Sequence, residues 1–302
     1  MKNLPNFLII GPPKCASTSL HYYLGQHPDV FVSPTKETNF FTHDYYRGLE
    51  FYAQYFSNAK TEKAIGEATP SYFFLPFAAD RIKKDLPNAK LIVTLRNPVE
   101  RAFSHWLMFK EAGVEKKSFR DAIKINLEQM QEYNFEGEKG AEIWEKRKNT
   151  ADDNDNWPRI YIQPGMYAES LNMYYESFKP EQMHIVFLED LKKIFSETIK
   201  EVFRFLNVDE NFMVENTEAK NFYFDKKYFR FLQKLTGIKT ARYISGILPS
   251  NLKNIFKQKQ TAVKVIPKIS DEDRAFLQDL FLPDIRQLEK ITNRSLENWV
   301  NH

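Results

Sequence analysis

The stretch "FLIIGPPKCASTSLHYYLGQHP" (Phe7–Pro28) decides how the chain is read. An apolar run closes on Gly11, and the pattern from Ser17 onward is helical, so the segment predicts a buried strand, a tight loop and a helix. Such a junction brings backbone N–H groups and the positive end of a helix to one point, which is a seat for an anion. Lys14 adds a mobile cation inside the turn, and Ser17, Thr18 and Ser19 add hydroxyls. The spacing is not that of the triphosphate loop GxxxxGK[ST], in which Lys opens the helix. Lys14 comes three residues after Gly11 with no Gly directly before it, so the loop suits a different phosphate arrangement. Taken alone, the segment also reads as an ordinary strand-to-helix turn.

Three more apolar runs have strand character: "KAIGEATPSYF" (63–73), "KLIVTLRNP" (90–98) and "MHIVFLEDL" (183–191). Helical patterns alternate with them, in "VERAFSHWLMFKEAG" ending near Gly113 and in the amphipathic "SETIKEVFRFLNV" with Ser196 as its cap. The alternation predicts an α/β fold with a parallel sheet between helices. Residues 134–160 are polar and turn-rich and read as a surface insertion or lid within a single domain spanning 1–302. The "LIVTLRNPVERAFSHW" run places Arg96 just past a strand's carboxyl end and Ser104 eight residues later in the following helix. In a parallel sheet both loops open at the edge where such folds bind ligands. A fork-like guanidinium and a hydroxyl there suit a second phosphate.

Composition sets wide bounds. The 302 residues carry 42% hydrophobic and 27% charged side chains, ordinary for a globular chain that buries a sizeable core. Cys15 is the only cysteine, so no disulfide forms within the chain. No run approaches the ~20 apolar residues that span a bilayer, and the N-terminus lacks a signal-peptide pattern, so a cytoplasmic location is expected. Between Lys226 and Lys268 there are 11 Lys and Arg and no Asp or Glu, against a net charge of only +3 for the whole chain. That segment suits an acidic partner, whether phosphate-bearing cofactor, anionic substrate or membrane surface, with a solvated helix face as the plain alternative. No nucleic-acid partner is expected.

In order and spacing these motifs resemble those of the sulfotransferases that use 3′-phosphoadenosine 5′-phosphosulfate (PAPS), in particular the branch with the heparan sulfate glucosaminyl sulfotransferases and their bacterial relatives. "FLIIGPPKCASTSL" is similar to the family's 5′-phosphosulfate loop, and "LIVTLRNPVERAFSHW" to its 3′-phosphate motif. "SPTKETNFF" is similar to the segment that supplies a catalytic carboxylate, here Glu37; "GEATPSYF", "FKPEQMHIVFLEDL", "NFYF" (221–224) and "SLENW" follow in the family's order. The resemblance implies a P-loop-type central parallel sheet flanked by helices, with helical and loop insertions forming an acceptor cleft. It implies PAPS as donor, 3′-phosphoadenosine 5′-phosphate as product and no metal. Lys14 would neutralise the leaving group. Backbone from Cys15 through Ala16 to Thr18, with the hydroxyls of Ser17, Thr18 and Ser19, would hold the 5′-phosphate, and Arg96 and Ser104 the 3′-phosphate.

Glu37 is the candidate base for a hydroxyl acceptor; His43 competes, and His105, on a helix beside Ser104, reads as structural. Cys15, beside a cation and a helix N-terminus, is expected to have a lowered pKa. The sequence departs from the branch at Ala68, where a lysine is expected, and at "QTAVKVIPK", where Lys264 stands near a usual arginine without the accompanying glycine. The branch's disulfide is also absent, so heparan sulfate is not carried over as acceptor. The acceptor expected is a hydroxyl, or alternatively an amine, of a carbohydrate, a lipid-linked molecule or a small natural product, with peptide tyrosine as a variant. The aromatic and basic region 216–268 is expected beside it and in peripheral contact with a membrane. Competing readings are a P-loop kinase of small molecules, with Glu189 and Asp190 as its weak metal-binding candidates, and a non-catalytic polyanion- or membrane-binding protein.

Overall fold

In the computed structural model, which describes residues 4–150, 158–217 and 267–300, Phe7–Ile9 form strand β1 at the middle of a sheet. Every residue of β1 is fully buried, because strands pair with it on both sides and helices cover both faces. The other strands are β2 (Val30–Val32), β3 (Ala64–Ala68), β4 (Lys90–Leu95) and β5 (Met183–Phe187). All pairings are parallel, in the order β2-β3-β1-β4-β5, with Ile9 opposite Ala68 on one side and Ile92 on the other.

Strand alternation sorts the core into two layers. Phe7, Ile9, Ile92 and Val186 point to the face covered by α1 (Ser17–Leu24) and by the later helix Phe195–Leu206. Leu8, Ile10, Leu91, Val93 and Leu95 point to the opposite face. That face is covered by α2 (Gly48–Ala53), α3 (Pro76–Asp85), α4 (Pro98–Ala112), α5 (Phe119–Glu132), α6 (Gly137–Thr150) and α7 (Tyr167–Tyr175). After β5 come α8 (Leu188–Lys193), α9 (Phe195–Leu206) and the long α10 (Asp271–Thr292), whose Leu277, Phe281, Ile285 and Leu288 join the same core. This is the parallel α/β sheet that the sequence predicts. Among the described residues no helix is long and apolar enough to cross a membrane.

Three local expectations are corrected. β2 was not predicted: it is a three-residue edge strand squeezed between Pro28 and Pro34, too short to show a pattern. Ser196 does not cap α9, which begins at Phe195 with Ile194 at the cap position and no side-chain cap. Residues 137–150 of the supposed surface insertion are helical, and Phe135, Ala141 and Trp144 belong to the main core. Residues 151–157 lie outside the described residues, as do 218–266 with Lys264 and "NFYF".

A buried ion pair ties the loop between α4 and α5 to the chain that follows α6. Arg159 and Glu115 are both solvent-free; Arg159 donates from Nε (2.8 Å) and Nη2 (3.1 Å), and Tyr161 Oη donates to the same carboxylate at 3.0 Å. Removing one partner strands the other charge in the core. Glu115→Ala is therefore expected to cost ~3–5 kcal/mol in urea unfolding, and a loss under ~1 kcal/mol would show that the pair carries no such weight.

Candidate active site

Because β1, β2 and β4 all run parallel in the sheet, their carboxyl ends open three loops at one edge. The first loop leaves β1 through Gly11. A Cβ on Gly11 would lie 2.1 Å from Thr94 Oγ1 and 2.4 Å from Thr94 N on β4, so only glycine lets β1 exit so close to its neighbour. Pro12 and Pro13 then stiffen the turn. Lys14 (φ 75°) and Ala16 (φ 68°) both take the left-handed conformation that side chains disfavour. Ala16 is also the N-cap of α1, with no side chain capping it and no acid in the first turn. The N–H groups at the start of α1 are thus left to a ligand or water.

The "RNP" run acquires a physical reading. Asn97 caps α4, accepting from the N–H of Val99 at 3.0 Å and of Glu100 at 3.3 Å, and Pro98 occupies the first helical position. Arg96 is left at the strand exit, where Nη1 donates to the Lys14 carbonyl at 3.4 Å and Nη2 lies 3.8 Å from Glu100. The two predicted phosphate loops therefore touch directly. Burial, followed by the Arg96 charge, lowers the pKa of Lys14, while Glu111 and Glu37 oppose that shift. Ser104 is half-buried on α4; Ser17 and Ser19 are buried and Thr18 half-buried on α1, with Ser19 hydrogen-bonded to Tyr23.

The third loop follows β2 and carries Glu37. Its N–H donates to Ala68 O at the end of β3 (2.9 Å), and its carboxylate, half-exposed, pairs with Lys36 at 2.6 Å. Glu37 (φ 62°) and Asn39 (φ 54°) are also left-handed. Of the six non-glycine residues with positive φ among the described residues, four are in these two loops; the other two, Asn207 and Asn293, end helices. Strain of this kind concentrates at functional sites. The competing histidines are engaged elsewhere. His43 Nδ1 lies 2.7 Å from Glu145 with its ring stacked on Trp144, and His105 is buried beside Arg101 and Tyr161. Glu189 accepts from Trp299 Nε1 (3.2 Å) and Asn97 N (3.4 Å), and Asp190 pairs with Arg294.

Several residues that build the site were not singled out in the sequence. Tyr167, first residue of α7, donates to the Arg96 carbonyl at 2.8 Å and lies 3.8 Å from Cys15 Sγ. It is held there because Asp284 of α10 caps α7, accepting from the N–H groups of Tyr167 (2.7 Å), Ala168 and Glu169. Arg101 is fully buried on α4 and donates to the Tyr161 carbonyl; among the described residues no carboxylate pairs with it. Its one sequence signal is its place in the "RNPVERAFS" run; Tyr167 and Asp284 give none.

These features define an α/β domain of the phosphate-loop type with an anion seat at the carboxyl edge of its sheet. The chain belongs to the sulfotransferase domain family, whose profile it matches over residues 4–289. The resemblance read from the motifs therefore holds. It is 44% identical over 106 residues to the membrane-associated sulfotransferase kil1 of Dictyostelium discoideum, covering 34% of this chain and 22% of that protein. It is 27% identical over 300 residues to the human bifunctional heparan sulfate N-deacetylase/N-sulfotransferase 2, covering 96% of this chain and 30% of that one. Among solved structures, a sulfotransferase from Alicyclobacillus acidocaldarius aligns over 98% of this chain and 99% of its own, at 25% identity and a TM-score of 0.69. The chain thus spans less than a third of either curated relative.

The expectation of a reactive Cys15 is overturned. The thiol is fully buried, and burial pushes its pKa up to about 11, outweighing the nearby Arg101 and Arg96 charges that lower it. Alkylation of Cys15 by iodoacetamide at pH 8 is expected to run ~100-fold or more slower in the folded protein than in urea, since the thiolate is the reactive form. Equal rates would contradict this placement.

Proposed function

We propose that this domain transfers a sulfuryl group from PAPS to a hydroxyl of a carbohydrate, lipid-linked or small natural-product acceptor. The observation that carries this reading is the meeting of two loops at the Lys14 carbonyl: an uncapped helix N-terminus on one side and the Arg96 guanidinium on the other. One anion seat suits many phosphates, whereas two adjoining seats suit a nucleotide with phosphates on both its 5′ and 3′ positions. The donor set fits such a molecule: Lys14 has a pKa lowered by burial and then by the Arg96 charge beside it, and the α1 N-terminus has no acid of its own. Bound there, PAPS supplies the sulfuryl group and departs as 3′-phosphoadenosine 5′-phosphate.

The chain's residues then take separate roles. N–H groups from Cys15 to Thr18 and the hydroxyls of Ser17 and Thr18 hold the 5′-phosphate. Lys14 neutralises charge as it grows on the leaving oxygen. Arg96 and Ser104 fix the 3′-phosphate and with it the register of the donor. Glu37, on the adjoining loop and half-open to solvent, takes the acceptor's proton, a role worth ~10²–10⁴-fold in rate. Several relatives bear names specifying carbohydrate or heparan sulfate transfer, which supports a glycan as the first acceptor class to try.

Labelled sulfate offered from PAPS to a library of glycans, phenols and lipid alcohols tests the reading. Transfer is expected from the wild type and a fall of ~10²-fold or more from Glu37→Gln, with binding of the bisphosphorylated product unchanged. Full transfer by Glu37→Gln would remove Glu37 from the role of base.

A further inference from the structure

Glu67 lies in β3, one residue before Ala68, and is completely buried. Among the described residues it has no cationic partner. Its carboxylate instead collects three hydroxyl protons: Oε1 accepts from Thr38 Oγ1 at 2.9 Å and Tyr52 Oη at 3.2 Å, and Oε2 accepts from Thr69 Oγ1 at 2.7 Å. Burial raises the pKa of this carboxyl, and the hydroxyls around it oppose the rise. An isolated buried carboxylate is costly, so an arrangement spending three donors on one calls for a use.

The use appears on the far side of the hydroxyls. Asn39 N donates to Thr69 Oγ1 at 3.3 Å, Phe40 N to Thr38 Oγ1 at 3.4 Å, and Phe41 N to Tyr72 Oη at 3.3 Å. Thr38 Oγ1 and Tyr72 Oη are 3.2 Å apart. Since the Thr38 proton goes to Glu67, Tyr72 is the donor in that pair. Asn39 to Phe41 open the wide helical turn Phe40–Asp44, whose N-cap, Asn39, makes no side-chain cap. The N–H groups that a cap would satisfy are satisfied through Thr69, Thr38 and Tyr72, and the proton of each hydroxyl runs to Glu67, directly or through Thr38. On the other side, the Asn39 side chain donates to the Glu37 carbonyl and Glu37 N to Ala68 O. The left-handed pair Glu37 and Asn39 is thereby clamped between β3 and the turn.

We propose that Glu67 is the positioning residue of the Glu37 loop: its carboxylate orients the hydroxyls that cap the 40–44 turn, and so fixes Glu37 at the edge of the sheet. An acceptor-only group is required, because all three hydroxyls point their protons at it; an amide would add a donor and turn one hydroxyl away. The catalytic side of this inference rests on the reading of Glu37 as base, whereas the relay itself does not.

Residue-resolved amide exchange separates the two. In Glu67→Gln the amides of Asn39, Phe40 and Phe41 are expected to exchange about tenfold faster or more, while those of β1 and affinity for 3′-phosphoadenosine 5′-phosphate stay unchanged. Thr69→Val should release Asn39 alone, and Thr38→Val should release Phe40 and Phe41. These two variants carry the test if Glu67→Gln does not fold. Unchanged protection of the three amides in the folded variants, or a uniform rise across the sheet, overturns the relay. With PAPS and an acceptor returned by the library, Glu67→Gln should lower kcat about tenfold without raising KM for PAPS, and add no further loss in a Glu37→Gln background. Multiplying losses overturn the positioning role. Full activity of Glu37→Gln alone would instead fault the base assignment, leaving the amide pattern to judge the relay.

Discussion

β1 pairs in parallel with β3 on one side and β4 on the other, and every feature of the site follows from that placement. Parallel strands send their loops to the same edge, so segments 60 to 90 residues apart in sequence meet within hydrogen-bonding distance, as Arg96 and Lys14 do. The pairing is close enough to exclude any side chain at Gly11. A larger residue there would push β1 from β4 and part the two loops that meet at the Lys14 carbonyl.

The edge so formed is rich in positive charge that nearby carboxylates offset only in part. Lys14 and Arg101 both have pKa values lowered first by burial, and each is lowered further by Arg96. Buried cations that repel one another are destabilising unless an anion joins them. The same edge holds four non-glycine residues in left-handed conformations. Such strain concentrates at functional sites, and here it coincides with the charge at the edge proposed to seat the nucleotide. Carboxylates one step away serve as supports: Asp284 sets Tyr167, Glu100 meets Arg96, and Glu67 reaches the Glu37 loop through hydroxyls.

How much of this could be read beforehand depends on the range of the interactions involved. Four of the five strands were legible as short, mostly apolar runs, β1 closed by Gly11 and β4 by Asn97-Pro98. The loops carrying Lys14 and Arg96 were legible from local spacing beside a strand end, whereas Glu37 was singled out by the family resemblance. β2 was hidden by its length and by flanking prolines, and α6 by a polar outer face that outnumbers the few residues, such as Trp144, it buries. Cys15 was misjudged because adjacency to Lys14 in sequence suggested a polar setting, while Tyr167 and Arg101 close over it from elsewhere. Tyr167 lies 71 residues from Arg96 and Asp284 lies 117 residues from Tyr167, and no local pattern reports contacts of that kind. Glu67 had one signal, an acid inside an otherwise apolar strand, whose meaning needed Thr38, Tyr52 and Thr69 around it.

The central claim is that two adjoining seats hold one nucleotide by its 5′ and 3′ phosphates. Calorimetric titration of the wild-type protein with 3′-phosphoadenosine 5′-phosphate, AMP and ATP with Mg²⁺ tests it most directly. The bisphosphorylated nucleotide is expected to bind tightest, with AMP weaker by about tenfold or more for want of the charge-assisted bonds to its 3′-phosphate, and Arg96→Ala is expected to erase that difference. Tighter binding of ATP with Mg²⁺ than of 3′-phosphoadenosine 5′-phosphate would contradict the account.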